Sequence, residues 1–578
     1  MRMPMNLPRH HPHWPRRLPR AITVPDTSLW HNLEVNAERY ADKAALHFLG
    51  RAYSYAQVRD AALSLAGHLH ARGVRQGDRV LVAMQNCPQL VIAHFAVMRA
   101  NAVVVPVNPM YRADELRHYI QNAQAKVAIA SADVAPALAR ASEVLAPDDR
   151  LAELIVTQYV DGLPADLGAG FSPPAAWRDW LLLTAPLPEL DGTRVTPWEE
   201  LMDASGTAPA APALTVCGSD LALLPYTSGT TGQPKGCRHR HSSLMHNAMA
   251  TQLWTASSSE TIMLAAVPMF HITGIVSLLH TTIVSGGALV IMPRWDRDLA
   301  GRLISHYGVT NWTNIPTMVI DLLASPHFDS FDLTSLHYIG GGGAAMPKAV
   351  AQRLLDAYGL VYVEGYGLTE TAAPSHLNPF ERPKQQCLGI PFISTDACVI
   401  DPATLVELPV GEAGEIVVRG PGVFDGYWGQ PEATERAFID LPRGRYFRTG
   451  DIGVVDSEGY FFLVDRLKRM INASGFKVWP AEVELQLYQH PAVQEACIVG
   501  TQDAYRGESV KALIVLRAGH EDVHASAIIG WCREHMAAYK VPHDVEFVSA
   551  LPKSATGKVL WRELQEQELR RGSAATPR

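Results

Sequence analysis

Residues 79–107 read RVLVAMQNCPQLVIAHFAVMRANAVVVPV, and this stretch decides the fold class. Its first apolar run predicts a buried strand, and Pro88 opens an apolar helix that ends at about Arg99. A second apolar run then predicts another strand. A further helix from Ala113 leads to the strand VAIAS at 127–131. This alternation predicts an α/β protein whose parallel-rich sheets are covered by helices on both faces.

Length and composition limit the functions open to the chain. With 578 residues, of which 47% are hydrophobic, it exceeds the size of a single hydrophobic core. A net charge of -8 argues against nucleic acid as the main partner. Seven cysteines without a CxxC pair predict reduced thiols and a cytoplasmic protein, with neither a disulfide framework nor a zinc site.

Pattern changes along the chain predict its division. Residues 1–25 carry five arginines, histidines and prolines, and we expect a disordered basic tail there. A large N-terminal domain over 26–465 is expected to precede a small α+β C-terminal domain over 466–578. Within the large domain, residues 146–216 predict a long excursion with one strand. Residues 272–292 are uncharged, but a Gly-Gly break predicts a buried helix and a buried strand instead of a membrane span.

Residues 226–236 read YTSGTTGQPKG, the most informative stretch for function. Its glycines let backbone N–H groups approach a ligand, while hydroxyls and Lys235 add donors and one positive charge, which suits a polyphosphate. It is not a Walker A loop, because Pro234 and Gly236 flank the lysine. A solvated Ser/Thr/Gly turn is the alternative interpretation.

Four further segments occur in a fixed order after this loop: GYGLTE at 365–370, YFRTGD at 446–451, DRLKRMINASGFKVWPAEVE from Asp465, and PKSATGKVLWREL from Pro552. Together the five segments resemble the signature blocks of the adenylate-forming superfamily of acyl-CoA synthetases, adenylation domains and beetle luciferases. The resemblance spans roughly residues 30–565 and is greatest to the bacterial medium- and long-chain fatty acid CoA ligases. It implies a mobile C-terminal domain with a hinge at Lys468.

The chemistry of acid activation agrees with this resemblance. A carboxylate is a poor acylating agent until it is joined to a good leaving group such as AMP. Attack of a carboxylate on the α-phosphate of ATP needs cations that neutralise the developing charge, and Mg²⁺ with a positioned lysine would provide them. We expect Lys558, in the PKSATGK turn, to be that lysine. A solvated loop lysine is the alternative.

The resemblance implies a role for each matched position in the nucleotide site. Tyr366 would stack on adenine, Thr369 would contact phosphate and Glu370 would bind Mg²⁺, with Thr369, Glu370, His271 and Lys558 as the catalytic set. A core aromatic and a helix-terminal carboxylate are the plain alternatives for Tyr366 and Glu370. The ATP- and AMP-binding residues would be Thr227, Ser228, Gly229, Thr230, Thr231, Gly232, Lys235, Gly343, Ala344, Glu364, Gly365, Tyr366, Gly367, Thr369, Asp451, Arg466 and Lys558.

Asp451 would accept both ribose hydroxyls and Arg466 would reinforce the ribose or phosphate end. The resemblance places CoA against Ser474 and Gly475. The acid site would be formed by His271, Gly274, Ile275, Trp312, Asn314, Gly340, Gly341 and Gly342. Here the glycine run is expected to open space for the acid, and no cation is evident to meet a second charged group, which favours an apolar tail.

Two departures from the family bear on the acid. Some long-chain synthetases carry a tryptophan gate where this chain has Ile275, so a gated tunnel of that design is in doubt. Plant aryl-acid ligases and luciferases typically carry lysines where this chain has Asn472 and Ser474, which moves the expectation towards bacterial fatty acyl-CoA synthetases.

We therefore expect an ATP-dependent acid:CoA ligase for a medium- or long-chain fatty acid, with ATP, Mg²⁺ and coenzyme A. Three alternatives stay open: a ligase for an aryl or branched acid, a stand-alone adenylation enzyme that loads a carrier protein, and a catalytically silent acyl-nucleotide-binding protein. No transmembrane segment is expected, while a peripheral membrane contact and a homodimer are left open.

Overall fold

The computed structural model describes residues 8–167, 171–202, 208–227, 234–466, 469–473, 476–478, 480–503, 507–553 and 559–574. The chain divides into two compact units. The larger comprises Met1–Ala397 with Val418–Phe447, and the smaller comprises Cys398–Val417 with Arg448–Arg578.

The first part of the larger unit alternates strands and helices, as its sequence pattern predicts. Its helices are α1 (Trp30–Arg39), α2 (Tyr55–Ala71), α3 (Pro88–Arg99), α4 (Ala113–Ala123), α5 (Ala135–Glu143), α6 (Arg178–Leu181), α7 (Trp198–Met202) and α8 (His241–Trp254). Its strands are β1 (Ala44–Phe48), β2 (Arg51–Ser54), β3 (Arg79–Ala83), β4 (Val103–Pro106), β5 (Val127–Ser131), β6 (Glu153–Thr157), β7 (Arg194–Pro197), β8 (Leu221–Leu223) and β9 (His239–Arg240).

Seven of these strands form a sheet in the order β7-β6-β5-β3-β4-β8-β9. All neighbours are parallel except β8 and β9. Strands β6 and β7 come from the stretch at 146–216, which we had expected to be an excursion with one strand. That stretch extends the sheet because β6 is buried along its whole length and pairs with β5 on one side and β7 on the other.

The second part of the larger unit supplies most of the other sheet. Its helices are α9 (Thr281–Ser285), α10 (Arg297–Tyr307), α11 (Pro316–Leu323), α12 (Lys348–Tyr358) and α13 (Pro431–Arg436). Its strands are β10 (Ile262–Ala265), β11 (Ala288–Ile291), β12 (Asn311–Asn314), β13 (Tyr338–Gly341), β14 (Tyr362–Leu368), β15 (Ala373–Leu377), β16 (Ile390–Pro391), β17 (Asp396–Ile400), β18 (Gly414–Arg419), β19 (Phe438–Leu441) and β20 (Gly444–Val455), of which β17, β18 and β20 run on into the smaller unit.

The nine-stranded sheet has the order β16-β15-β14-β13-β12-β10-β11-β1-β2. Between β10 and β11 the chain forms a buried π-helix, Gly274–His280, that runs directly into α9. This agrees with the helix and strand predicted over 272–292. Within the described part of the chain, no helix is long and apolar enough to cross a membrane.

The register of this sheet places three predicted site residues in one row. Asn314 at the end of β12 lies opposite Gly341 at the end of β13, and Gly341 lies opposite Glu364 in β14. Because parallel strands end at the same edge, Asn314, Gly341 and Glu364 lie at the edge where ligands of open α/β sheets usually bind.

The smaller unit is α+β, as predicted for the end of the chain. Its remaining elements are β21 (Phe461–Arg466), β22 (Ile471–Ala473), β23 (Phe476–Val478), β24 (Val493–Asp503), β25 (Gly507–Leu516), β26 (Asp544–Phe547), α14 (Pro480–Leu487), α15 (Ala525–His535) and α16 (Trp561–Ala574). A sheet in the order β23-β22-β25-β24, with β26 added to β25, packs against helices through a core that includes Val483, Ile498, Ile514 and Ile528.

The N-terminal segment differs from the disordered tail that we expected. The ring of Trp14 lies edge-on to Trp254 at 5.4 Å, and Leu18 is buried. The N–H of Ser394 donates to the Arg20 carbonyl, and the N–H of Ile22 donates to the Ser394 hydroxyl. These apolar and main-chain contacts hold residues 14–22 on the larger unit despite their positive charge.

Candidate functional site

The two ends of the predicted phosphate loop pair with each other in the larger unit. The N–H of Thr227 donates to the Lys235 carbonyl at 3.0 Å, and Tyr226 and Gly236 form an antiparallel bridge. The Tyr226 hydroxyl donates to Asn122 at 2.7 Å. The tip of the loop, with Ser228, Gly229, Thr230, Thr231 and Gly232, lies outside the described residues. The chain therefore forms a closed hairpin base on which Lys235 is held.

A tyrosine joins Lys235 to Glu370. The Lys235 ammonium lies 5.0 Å from the ring centroid of Tyr427, and the Tyr427 hydroxyl donates to Glu370 Oε1 at 2.8 Å. Burial and the Glu370 carboxylate raise the pKa of Tyr427, so its phenol remains a hydrogen-bond donor. A cation and a carboxylate thus flank one phenol ring.

Glu370 itself lies in a short helical turn, Thr369–Thr371, that follows β14. Two left-handed residues come after the turn, Ala372 with φ of 52° and Ala373 with φ of 73°. His239 and Asn247 bind the carbonyls of Thr369 and Thr371 respectively. A single carboxylate in this position fits Mg²⁺, which usually takes one or two carboxylates and completes its shell with substrate phosphates.

Tyr366 lies in β14, two residues after Glu364, where it pairs with His376 of β15. It is 8% exposed, and its ring centroid lies 5.7 Å from that of His376. The glycines on either side of it permit close strand pairing: a Cβ on Gly365 would overlap the Leu377 side chain, and a Cβ on Gly367 would overlap the Ala373 carbonyl. The three residues therefore form a thin, tightly paired edge.

Glu364 is buried at the same edge. The N–H of Gln386 donates to its carboxylate at 2.8 Å. Burial raises the pKa of Glu364 to about 7, although backbone N–H groups that include those of Gln386 and Met346 act to lower it. The carboxyl group is therefore partly protonated near neutral pH and binds main-chain atoms.

The glycine run has a different role from the one that we expected. A Cβ on Gly340, Gly341 or Gly342 would overlap the carbonyl of Val363, Asn314 or Gly365 respectively. The missing side chains therefore allow main chains to pack closely and do not leave free space for an acid, which corrects our interpretation. Gly343, the last glycine of the run, has a φ of 87°, and Ala344 after it is exposed.

The remaining predicted acid-site residues lie around β12 and the π-helix. Asn314 accepts from the Tyr362 hydroxyl and donates to the Trp312 carbonyl, while the Trp312 ring stacks on Trp295 at 5.8 Å. His271 precedes the π-helix and lies 4.8 Å from the Phe270 ring. Further along, Gly274 packs on the Pro268 carbonyl, and Ile275 is fully buried.

In the smaller unit, the two predicted ribose residues are neighbours. Asp451 in β20 lies opposite Arg466 in β21, and the Asp451 side chain is buried. The predicted catalytic Lys558, the hinge Lys468 and the CoA positions Ser474 and Gly475 lie outside the described residues, and their roles stay predictions.

Sequence reasoning missed three residues that the structure brings to the site: His239, Asn247 and Tyr427. His239 and Asn247 follow the phosphate loop closely, but nothing in their local sequence indicates that they bind a turn more than a hundred residues away. Only the structure shows that His239, four residues after Lys235, is buried and faces this turn.

The site and the fold define a class of nucleotide-binding α/β enzymes, and comparisons with known proteins identify it. The family model for AMP-binding enzymes matches residues 33–428, and that for the AMP-binding enzyme C-terminal domain matches residues 482–558. The chain therefore belongs to the AMP-binding enzyme family.

Individual relatives agree over nearly the full length. A long-chain-fatty-acid–CoA ligase of Bacillus subtilis (strain 168) is 33% identical over 562 residues, covering 96% of this chain and 97% of the relative. A feruloyl-CoA synthase of Amycolatopsis sp. is 34% identical over 521 residues, covering 90% and 94%. The crystal structure of ATP-bound MatB from Rhodopseudomonas palustris has a TM-score of 0.79 at 27% identity, covering 94% of this chain and 99% of that chain. The predicted superfamily and its acyl-CoA synthetase branch are confirmed.

Proposed function

We propose that this protein is an ATP-dependent acid:CoA ligase that activates a medium- or long-chain fatty acid as acyl-AMP and then forms acyl-CoA. The arrangement of Lys235, Tyr427 and Glu370 carries the proposal, because it places a cation and a carboxylate beside the base of a glycine-rich loop. Phosphoryl chemistry depends mainly on such positioned charges.

The residues would divide the work as follows. Lys235 would hold phosphate oxygens of ATP, Thr369 would contact phosphate, and Tyr366 would stack on adenine. Glu370 would bind Mg²⁺, which supplies charge neutralisation at the phosphates when it is bound. His271 would hydrogen-bond the acid carboxylate as it attacks the α-phosphate and pyrophosphate leaves.

The fatty acid is the favoured substrate for two reasons. The long-chain-fatty-acid–CoA ligase of Bacillus subtilis is 33% identical to this chain over 96% of its length. Around His271, the residues Met269, Phe270, Ile272 and Ile275 are apolar and buried, which suits an acid without a second charge. An aryl acid is the second candidate, because the feruloyl-CoA synthase is about as similar.

A panel of acids tests the proposal directly. Pyrophosphate release and CoA thioester formation would be measured with octanoate, dodecanoate, hexadecanoate, benzoate and ferulate, each with and without CoA. We expect the largest kcat/KM with one of the fatty acids, and thioester only when CoA is present. A preference for ferulate or benzoate would support the aryl alternative, and pyrophosphate release with no CoA thioester even when CoA is present would support a carrier-loading enzyme.

In the C-terminal part of the chain, we propose that Lys558 neutralises charge during adenylation. Lys558→Ala should then lower acyl-adenylate formation by about 10²-fold and leave thioester formation from supplied acyl-adenylate nearly intact. An equal loss in both steps would contradict this role.

We further propose that Lys468 is the hinge. Proline fixes φ, so Lys468→Pro should retain acyl-adenylate formation and abolish thioester formation, with Lys468→Gly as a mild control. Wild-type thioester formation by a folded Lys468→Pro variant would exclude the hinge.

A further inference from the structure

We propose that His239 is a positioning residue for Glu370: it holds the carbonyl of Thr369 so that the adjacent Glu370 carboxylate is aimed at the ATP-bound Mg²⁺. The inference rests on the proposed function, because it concerns the binding of ATP with Mg²⁺. His239 would act through the main chain and would not touch the substrate.

The turn that carries Glu370 is bound at three successive carbonyls. His239 Nε2 donates to the Thr369 carbonyl at 2.7 Å, the N–H of Phe424 donates to the Glu370 carbonyl at 2.8 Å, and Asn247 Nδ2 donates to the Thr371 carbonyl at 2.9 Å. Three fixed peptide planes in a row determine the direction in which the side chain between them leaves the backbone.

The turn needs this support because of the backbone that follows it. Ala372 and Ala373 both have positive φ, a conformation that is unfavourable for residues other than glycine. Asn247 also donates to the carbonyls of Ala372 and Pro374. The left-handed pair therefore persists because side chains outside the turn hold it.

His239 is well placed for this task. It is fully buried, and burial lowers its pKa to about 4, so the ring is neutral and carries one proton. That proton must be on Nε2, because a carbonyl oxygen only accepts hydrogen bonds. The Ser243 hydroxyl lies 3.5 Å from Nδ1 on the other side of the ring.

The position of His239 in the chain couples it to the phosphate loop. One extended segment carries Lys235, then Cys237, which bridges to Tyr427, and then His239 in β9. Tyr427 in turn donates to Glu370. The segment that carries Lys235 thus binds the main chain of the Glu370 turn through His239, and Tyr427, with which the segment pairs, binds the Glu370 carboxylate.

The test is nucleotide binding with and without metal. In His239→Leu, the Kd for α,β-methylene-ATP measured calorimetrically in the presence of Mg²⁺ should rise about 10-fold, because one charge-bearing turn loses a buried hydrogen bond. The Kd in EDTA should change by less than about 2-fold. The Mg²⁺ concentration that gives half-maximal ATP–pyrophosphate exchange should rise in parallel.

A pair of polar variants keeps the test valid if His239→Leu does not fold. The Gln amide in His239→Gln can reach the Thr369 carbonyl, whereas the Asn amide in His239→Asn is one methylene shorter. We expect Gln to restore Mg²⁺-dependent binding to within about 3-fold of wild type and Asn to behave like Leu.

His94→Leu is the matched control, since His94 is a buried histidine of the same unit whose ring bonds to His280. It should lower the Tm without changing the Mg²⁺ dependence. Unchanged Mg²⁺-dependent binding in both His239→Leu and His239→Asn would overturn the inference. Failure of wild-type protein to exchange pyrophosphate with any acid would instead contradict the proposed function.

Discussion

The carboxyl ends of the two large sheets in the larger unit differ in what their side chains bind. At the seven-stranded sheet, the Tyr159 hydroxyl donates to Ser131 and accepts from the N–H of Gln85, both at 2.9 Å, and Ser131 donates to Asp133. At the nine-stranded sheet, a strained turn after β14 carries Glu370, and Tyr427 joins this carboxylate to Lys235, which lies between β8 and β9 of the seven-stranded sheet.

The comparison shows that topology alone does not make a site. Both edges lie where open α/β sheets commonly bind ligands. Around Tyr159, the seven-stranded edge pairs Tyr159, Ser131 and Asp133 in one hydrogen-bonded cluster, while the turn after β14 holds the charged side chain of Glu370 on main chain that neighbouring elements keep in place. Substitution of Tyr159 should therefore lower stability and leave activity unchanged, whereas substitution of Glu370 should lower activity and leave stability nearly unchanged.

The largest expected effect on this comparison comes from Glu370→Gln. The amide oxygen can still accept from Tyr427, but the charge is lost, so acid-dependent ATP–pyrophosphate exchange should fall by about 10²-fold or more. The free energy of unfolding, measured with denaturant, should change by less than about 1 kcal/mol. Exchange within threefold of wild type would show that the Glu370 carboxylate is not needed for the reaction.

Gly341→Ala tests the corrected role of the glycine run. Its Cβ would overlap the Asn314 carbonyl, so we expect a loss of about 3 kcal/mol in the free energy of unfolding. Gly359→Ala is the control in the same unit: it has a φ of 66° but open space around it, and should cost only about 1 kcal/mol. Equal losses in the two variants would contradict close packing as the reason for Gly341.

The pH dependence of stability tests the burial of Glu364. Its pKa is about 7 in the folded protein against 4.5 for the free group, so the folded state holds a proton that the unfolded state releases between these values. Stability should therefore fall as pH rises through this window. Relative to Glu364→Gln, the wild type should lose about 2 kcal/mol between pH 5 and 7.5 in denaturant titrations. Parallel pH profiles for the two proteins would show that Glu364 is ionised throughout.

Tyr159→Phe should give the smallest effect. In contrast to Glu370→Gln, it should lower stability and leave activity unchanged. It leaves the Gln85 N–H and the Ser131 hydroxyl short of a buried partner, so about 1 to 2 kcal/mol of unfolding free energy should be lost. Pyrophosphate exchange, assayed well below the Tm, should match the wild type. A tenfold loss of exchange would mean that the hydrogen-bonded cluster around Tyr159 also serves the reaction.

Local pattern predicted most of the fold. Helix α3 begins at Pro88 and ends at Arg99, as the apolar run and the proline indicate. The strands in the stretch at 146–216 are harder to predict, because short strands among prolines and glycines have little hydrophobic periodicity. Its strands β6 and β7 are stabilised by pairing along the sheet edge.

The sequence by itself determined the family and the charged residues of the site, because contiguous motifs such as GYGLTE carry Glu370 and the glycine-rich loop carries Lys235. Only the tertiary structure showed that Tyr427 joins the two and that His239 binds Thr369, 130 residues away. It also showed what surrounds Gly341. Hydrophobic periodicity and turn chemistry act between near neighbours, whereas these contacts depend on how distant strands pack, and that packing is fixed only when the whole core is buried.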